Sequence, residues 1–324
     1  MKDGHTTHSE SSFGKKIWCV LIVLFLGVIG WQMWKLNAYN NAVREAKEAG
    51  FKWTCDDAIS LIRQDWHNAL KKETWGEHER VLVMGDVPHL GRYREMLHHL
   101  HPTELSAVGC KDENLDALKG LTGLQTLILH DCTALQNVDA LNSFTNLQRL
   151  DLIGCSALQN VDGLKSLTRL QNISLSGCLI LQNVEGLKTL TSLQYLDLYG
   201  CFALQNVDGL KGLTGLACLD LTRCPALQNV DALKNLTALQ NLNLSHCPAL
   251  QNVDGLKGLT KLHTLSLIFC PALQNVHGLK ELTSLQYLDL YGSHKIPSAM
   301  LSELRVSLRT TELTFPATTQ NPPQ

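Results

Sequence analysis

From Leu124 onward the apolar positions fall into one 23-residue frame, L-x-x-L-x-L-x-x-C-x-x-L-x-x-V-x-x-L-x-x-L/F-x-x. It restarts at Leu147, Leu170, Leu193, Leu216, Leu239, Leu262 and Leu285. Within it, LQNV recurs seven times, beginning at Leu135, Leu158, Leu181, Leu204, Leu227, Leu250 and Leu273. In LQRLDLIGC (147–155), Leu150 and Leu152 alternate with Arg149, Asp151 and Ile153, the period of a strand with one face inward. The return segment VDGLKSLT (161–168) carries leucines every third residue, which suits a short helical or 3-10 turn. A 23-residue unit cannot bury its apolar stripe alone, so the copies must stack and share a core. Each strand then pairs with its counterpart one copy away in a parallel sheet, and ten rungs would make it roughly 45 Å wide. The bulkier outer layer of turns should curve the stack with the sheet on the concave side. Leu and Val of LQNV are expected to point inward, with its Gln and Asn satisfying backbone groups. The acidic residue that follows (Asp139, Asp162, Glu185, Asp208, Asp231, Asp254) is expected to cap the outer turn; His277 breaks that column without breaking the frame.

This frame resembles the leucine-rich repeat family, whose pattern L-x-x-L-x-L-x-x-N/C-x-L it matches over its first nine positions. The next leucine follows the cysteine after two residues where that pattern has one. The spacing is similar to the Cys-type repeats of some bacterial surface proteins and of plant disease-resistance receptors, and less similar to the internalin type. The resemblance covers roughly residues 80 to 305. It implies an α/β fold, a leucine-rich-repeat solenoid with a curved parallel sheet on the concave face and short helical or 3-10 turns on the convex face.

Ahead of the repeats the pattern changes. Residues 17–31, IWCVLIVLFLGVIGW, hold no charge, and the apolar run extends through Trp34, giving roughly 27 Å of helix. Lys15 and Lys16 precede it, Lys35 follows it, and Trp18, Trp31 and Trp34 stand at its ends, as in an uncleaved single-span anchor. A cleaved secretory signal is the alternative, for which Val28-Ile29-Gly30 is a poor cleavage site. The expected organisation is a disordered segment 1–14, a transmembrane anchor 15–35, a helical stalk and N-terminal cap 36–79, repeats 80–292, a C-terminal cap 293–315 and a disordered tail 316–324. Arg80–Met84 reads as a strand in register with Leu105; a closing helix and a strand near Glu312–Phe315 are expected at the far end. The flanking lysines orient the span weakly: they favour an exported repeat body, periplasmic or extracytoplasmic. The minimal anchor and near-identical copies suggest a bacterial origin.

Charge and chemistry then narrow the function. The chain has 324 residues and a net charge of −2, and residues 105–292 hold 12 Lys and Arg against 15 Asp and Glu. That is no footprint for a phosphate backbone, so nucleic acid is not an expected partner. Eight of the eleven cysteines stand at 110, 132, 155, 178, 201, 224, 247 and 270. This spacing lacks the close pairs of a zinc site. Adjacent-rung disulfides are conceivable on distance, but side chains stacked in one column run parallel, which favours buried, reduced structural thiols. A reduced column argues mildly against export. His98 and His101, near the end of a helix in PHLGRYREMLHHLH, could share a face and bind metal, but histidines at a helix C-terminus also suit the dipole. No catalytic or nucleotide-binding motif occurs, so neither an enzyme nor a cofactor is expected. An enzymatic reading would have to rest on the cap, around Trp53, His67 and Trp75.

Function is therefore expected on the positions that vary between copies. The outward strand positions change from rung to rung, and two clusters stand out: Tyr195, Asp197, Tyr199 and Tyr287, Asp289, Tyr291. The second lies in a verbatim copy, since TSLQYLDLYG occurs at 191 and at 283. Tyrosine offers contact area with a polar tip, as interfaces favour. Arg149, Asp151 and Asp220 complete the expected protein-binding set. The expected function is a membrane-anchored, non-catalytic interaction scaffold attached through residues 17–34; a structural or adhesion spacer at the cell envelope is the alternative.

Overall fold

The computed structural model describes residues 81–86, 89–309 and 311–314. The expected anchor at 17–34, the stalk and N-terminal cap at 36–79 and the two terminal tails lie outside the described residues. Among the described residues, no helix is long and apolar enough to cross a membrane.

Eleven strands form one parallel sheet in sequence order. They are β1 (Val81–Asp86), β2 (Glu104–Val108), β3 (Thr126–His130), β4 (Arg149–Asp151), β5 (Asn172–Ser174), β6 (Tyr195–Asp197), β7 (Cys218–Asp220), β8 (Asn241–Asn243), β9 (Thr264–Ser266), β10 (Tyr287–Asp289) and β11 (Glu312–Thr314). The eleventh is the expected closing strand. From β3 to β10 the register follows the repeat period, with Leu127 opposite Leu150, Leu150 opposite Ile173 and so on to Leu265 opposite Leu288. Two helices flank the array, α1 (Arg94–Leu100) and α2 (Ser298–Ser307). Leu90 and Leu97 are fully buried before the first repeats, and the N–H of Leu90 donates to Asp112. At the other end Leu304 of α2 is buried, Lys280 pairs with Glu303, and Met300 Sδ accepts from Val276 N–H. These contacts cover the last outer turn.

The frame leucines, the valine of LQNV and the cysteine column are buried throughout. Each rung returns through a 3-10 turn such as Asp162–Leu164. The acidic residue at its start does not cap it. In all seven LQNV copies the asparagine side chain accepts the N–H two residues on, from Asp139 N at 3.2 Å through Asp254 N at 3.3 Å to His277 N at 2.9 Å. Asparagine favours this local bond because its short amide reaches the backbone just ahead of it. The following residue contributes only its backbone, which explains why His277 fits there. The acidic side chains point outward, where Asp162 meets Lys165 and Asp208 meets Lys211 at 2.9 Å; such exposed pairs add little. Gln of LQNV contributes through its main chain in a second ladder, for example Gln159 N to Gln136 O at 2.9 Å.

In the LQNV rungs turn length follows how closely the residue after that position lies against the preceding rung. A Cβ on Gly163, Gly186, Gly209 or Gly255 would lie 2.0 to 2.2 Å from the valine carbonyl of the preceding rung, and these turns are three residues long. Ala140 and Ala232 stand at this position in five-residue turns, as does Gly278, where the gap is 3.1 Å.

The thiols bond across rungs. Cys155 Sγ donates to Leu129 O at 3.4 Å, Cys201 to Leu175 O at 3.3 Å and Cys270 to Leu244 O at 3.2 Å. Burial pushes Cys178 up to about 12 and Cys270 up to about 11, so both stay protonated donors at neutral pH. The last rung replaces the thiol with Ser293, whose hydroxyl donates to Leu267 O at 2.8 Å and accepts from Cys270 N–H at 3.1 Å.

Candidate interaction face

Strand pairing places the varying residues in columns on the open face of the sheet. The first runs Thr126, Arg149, Asn172, Tyr195, Cys218, Asn241, Thr264, Tyr287, and the second Ile128, Asp151, Ser174, Asp197, Asp220, Asn243, Ser266, Asp289. The expected site residues on the strands therefore share one face, with Tyr199 and Tyr291 two positions past the strand ends. Tyr195 and Tyr199 are 41% and 37% exposed, Tyr291 is exposed, and Arg149 projects into solvent. Asp151 and Asp289 are only 6% and 8% exposed.

The carboxylates of the second column share one bond. In each, one oxygen accepts the N–H two residues on: Asp151 from Ile153 at 3.3 Å, Asp197 from Tyr199 at 2.9 Å, Asp220 from Thr222 at 2.8 Å and Asp289 from Tyr291 at 2.8 Å. These bonds fix the chain as it leaves the strand. The second oxygens differ. That of Asp151 lies 3.7 Å from Arg149, while its first also meets His130 Nε2 at 3.1 Å. The Asp151 carboxylate at this distance holds the His130 imidazole above its ordinary pKa. Asp197 takes Ser174 Oγ at 3.0 Å and Asp289 takes the Tyr287 hydroxyl at 3.0 Å. Burial raises the Asp197 carboxyl, and the charge of Asp220 on the next strand adds to the rise.

One further column escaped the sequence reading. The residue before each cysteine adopts the left-handed conformation. It is glycine at Gly109, Gly154, Gly177 and Gly200, with Gly292 at the matching place in the last rung, but Asp131, Arg223, His246 and Phe269 hold φ between 53° and 59°. Left-handed backbone costs an L-residue roughly 1–2 kcal/mol. At three consecutive rungs the strained residues build a rim along the strand exits. The Arg223 guanidinium lies 5.7 Å from the Tyr199 ring centre, Phe269 lies 5.2 Å from His246, and Tyr291 stands edge-on to Phe269 at 5.4 Å. Beside it Leu179, Ile180 and Phe202 are exposed where other copies carry Ser, Thr, Pro or Ala. The signal was present in the sequence as breaks in a glycine column and in a small-residue column.

As to metal chemistry, His101 sits past the end of α1 in a left-handed conformation, so His98 and His101 share no helical face. Among the described residues, no group of three or more His, Cys, Asp or Glu could hold a metal ion.

Comparison with known proteins bears on the frame. The family model described as BspA type leucine-rich repeat region matches in six copies over residues 108–219 and 181–297, more than half of the chain. Among curated proteins none matches the chain. The leucine-rich repeat domain of the type III effector XCV3220 (XopL) is similar in fold, with a TM-score of 0.50 at 18% identity, over 98% of this chain and 99% of that one. Two internalins of Listeria monocytogenes align less well. Internalin C2 gives a TM-score of 0.48 at 26% identity over 60% of this chain and 84% of its own. InlF gives 0.44 at 17% identity over 70% and 83%. The 23-residue frame, the parallel register and the matched copies agree, and the chain belongs to the BspA-type leucine-rich repeat family.

Proposed function

We propose that the chain is a non-catalytic recognition scaffold that binds a protein partner through the open, expectedly concave face of its sheet, held to a membrane by residues 17–34. The observation that carries this reading is a contrast: Tyr195 and Tyr199 stand 41% and 37% exposed on a frame whose inward leucines are fully buried. Buried positions hold the rungs together, while exposed aromatic positions are free to meet a partner, and aromatic side chains supply much of the binding energy at interfaces. Leucine-rich repeats are widely used as protein-binding scaffolds, in keeping with the solenoid's extended surface. The apolar run and its tryptophans support the anchor, and the lysine pair before it supports an exported repeat body.

The test replaces Tyr195, Asp197 and Tyr199 with Ala, Asn and Ala in the full chain and measures the partners captured and their affinity. Loss of a partner by about tenfold or more is expected, the cost of removing more than 1.4 kcal/mol of contact. Unchanged partners and affinities would remove the sheet-face reading. Protease accessibility on spheroplasts tests the topology: digestion of the repeats from outside is expected, and protection overturns it.

A further inference from the structure

The rim and the floor of the sheet face carry different chemistry. On the floor, Asp197 and Asp220 stand on adjacent strands. Among the described residues no cation lies within ion-pair distance of either, whereas the charge of Asp151 is matched by His130 and Arg149. The cation closest in the chain, Arg223, is turned to the Tyr199 ring. Burial already raises the Asp197 carboxyl, and a second carboxylate beside it makes the pair a place where an added positive charge is favoured. Along the rim, Tyr199 and Phe202 are exposed at one end and Phe269 and Tyr291 at the other. Phe269 holds its place at a backbone cost, since its φ is 53° where glycine serves other rungs. Strain kept at a surface position points to a use for the side chain.

We infer that this surface takes an extended, basic polypeptide segment running across the rungs from β6 to β10, its basic side chains over Asp197 and Asp220 and two apolar side chains against the ends of the rim. Tyr199 and Tyr291 lie four rungs apart, about 19 Å at about 4.8 Å per rung, and an extended chain covers that distance in about six residues. The occupant therefore carries its two apolar residues about six positions apart with Lys or Arg between them. Charge complementarity sets its sign. The inference rests on the sheet-face reading above and narrows it to one class of partner.

The test uses the full chain, purified in detergent, immobilised and screened against a phage library of random dodecapeptides. The expected pool is rich in Lys and Arg, with apolar residues paired at that spacing. A synthetic peptide from it should bind the Asp197→Asn/Asp220→Asn chain about tenfold more weakly, and lose most of that difference at high salt. It should also bind the Phe269→Ser/Tyr291→Ser chain about fivefold or more weakly, as loss of an aromatic anchor implies. Native-state thiol titration checks folding of both variants, because a disordered array would expose its buried cysteines.

An acidic pool, a pool without apolar pairing, no enrichment, or affinities within about twofold in both variants overturns the inference. Binding confined to a glycan array and dependent on Tyr199 overturns it as well. If the Tyr195, Asp197, Tyr199 variant loses its captured partners while the selected peptides are not basic, the sheet-face reading stands and this inference falls.

Discussion

The string TSLQYLDLYG stands at residues 191–200 and again at 283–292, and its side chains are held differently in the two places. In the second copy the Tyr287 hydroxyl donates to its own Asp289, and Tyr291 packs edge-on against Phe269. In the first, Asp197 takes the hydroxyl of Ser174 from the preceding strand, Tyr195 stands clear of it, and Tyr199 has the Arg223 guanidinium of the following rung beside its ring at 5.7 Å. The second copy also has a serine before it on the neighbouring strand, but Ser266 bonds Ser245 at 2.7 Å and leaves Asp289 to Tyr287. Ten identical residues thus give one locked cluster and one whose first tyrosine hydroxyl has no bond among the described residues. In a solenoid competing partners for a surface side chain sit about 23 residues away on the neighbouring rung, so local identity does not fix local bonding.

The comparison can be broken first at the core, where the copies should not differ. Leu196 and Leu288 are both fully buried with a strand on each side. Leu196→Ala and Leu288→Ala are each expected to lose about 2–5 kcal/mol in urea unfolding. Values differing by more than the width of that range would mean the two rungs are not equivalent inside.

The next largest effect lies just past the string, where one copy continues into Cys201 and the other into Ser293. Ser293→Ala leaves both Leu267 O and Cys270 N–H without the hydroxyl that serves them, and each unsatisfied buried group costs about 1–3 kcal/mol. Cys201→Ala removes only the thiol bond to Leu175 O, which still accepts the Cys178 N–H at 3.1 Å. Equilibrium unfolding should therefore show Ser293→Ala as the more damaging change; the reverse order would mean the hydroxyl carries less than its geometry implies.

A smaller difference separates the tyrosines. Tyr287→Phe removes a hydrogen bond to a carboxylate and is expected to cost about 0.5–1.5 kcal/mol, while Tyr195→Phe should leave stability unchanged and alter only binding. Equal melting shifts would place the two hydroxyls in the same state.

Smallest is a pH effect. Burial raises the Asp197 carboxyl above its unfolded value, so its contribution to stability is full below the unfolded pKa of about 4 and is lost as pH rises through the folded one. Asp197→Asn keeps an acceptor for Tyr199 N–H and removes the buried charge. Its melting midpoint is expected to exceed that of the unaltered chain at pH 7, with the gain vanishing below about pH 4. A gain that persists in acid would exclude the carboxyl as its cause.

The frame was legible because inward positions are set by period alone. Leu150, Val161 and Cys155 recur at fixed offsets, and a side chain at any other offset would leave the core open. The turn was read less well. An acidic residue after LQNV satisfies the pattern of a cap, yet the asparagine two positions earlier reaches the backbone first, and spacing gives no sign of which group wins. The rim was missed for a further reason. Arg223, His246 and Phe269 occupy a column that glycine fills in other copies, and only backbone angles show that this column is left-handed.

The sequence by itself determined the period, the parallel register, the buried leucines and the column of thiols, since each follows from stacking identical units. The tertiary structure decided which polar groups on the face are committed and which are available. That choice depends on the reach of hydroxyls and carboxylates between neighbouring rungs, where a bond forms or fails within about half an ångström.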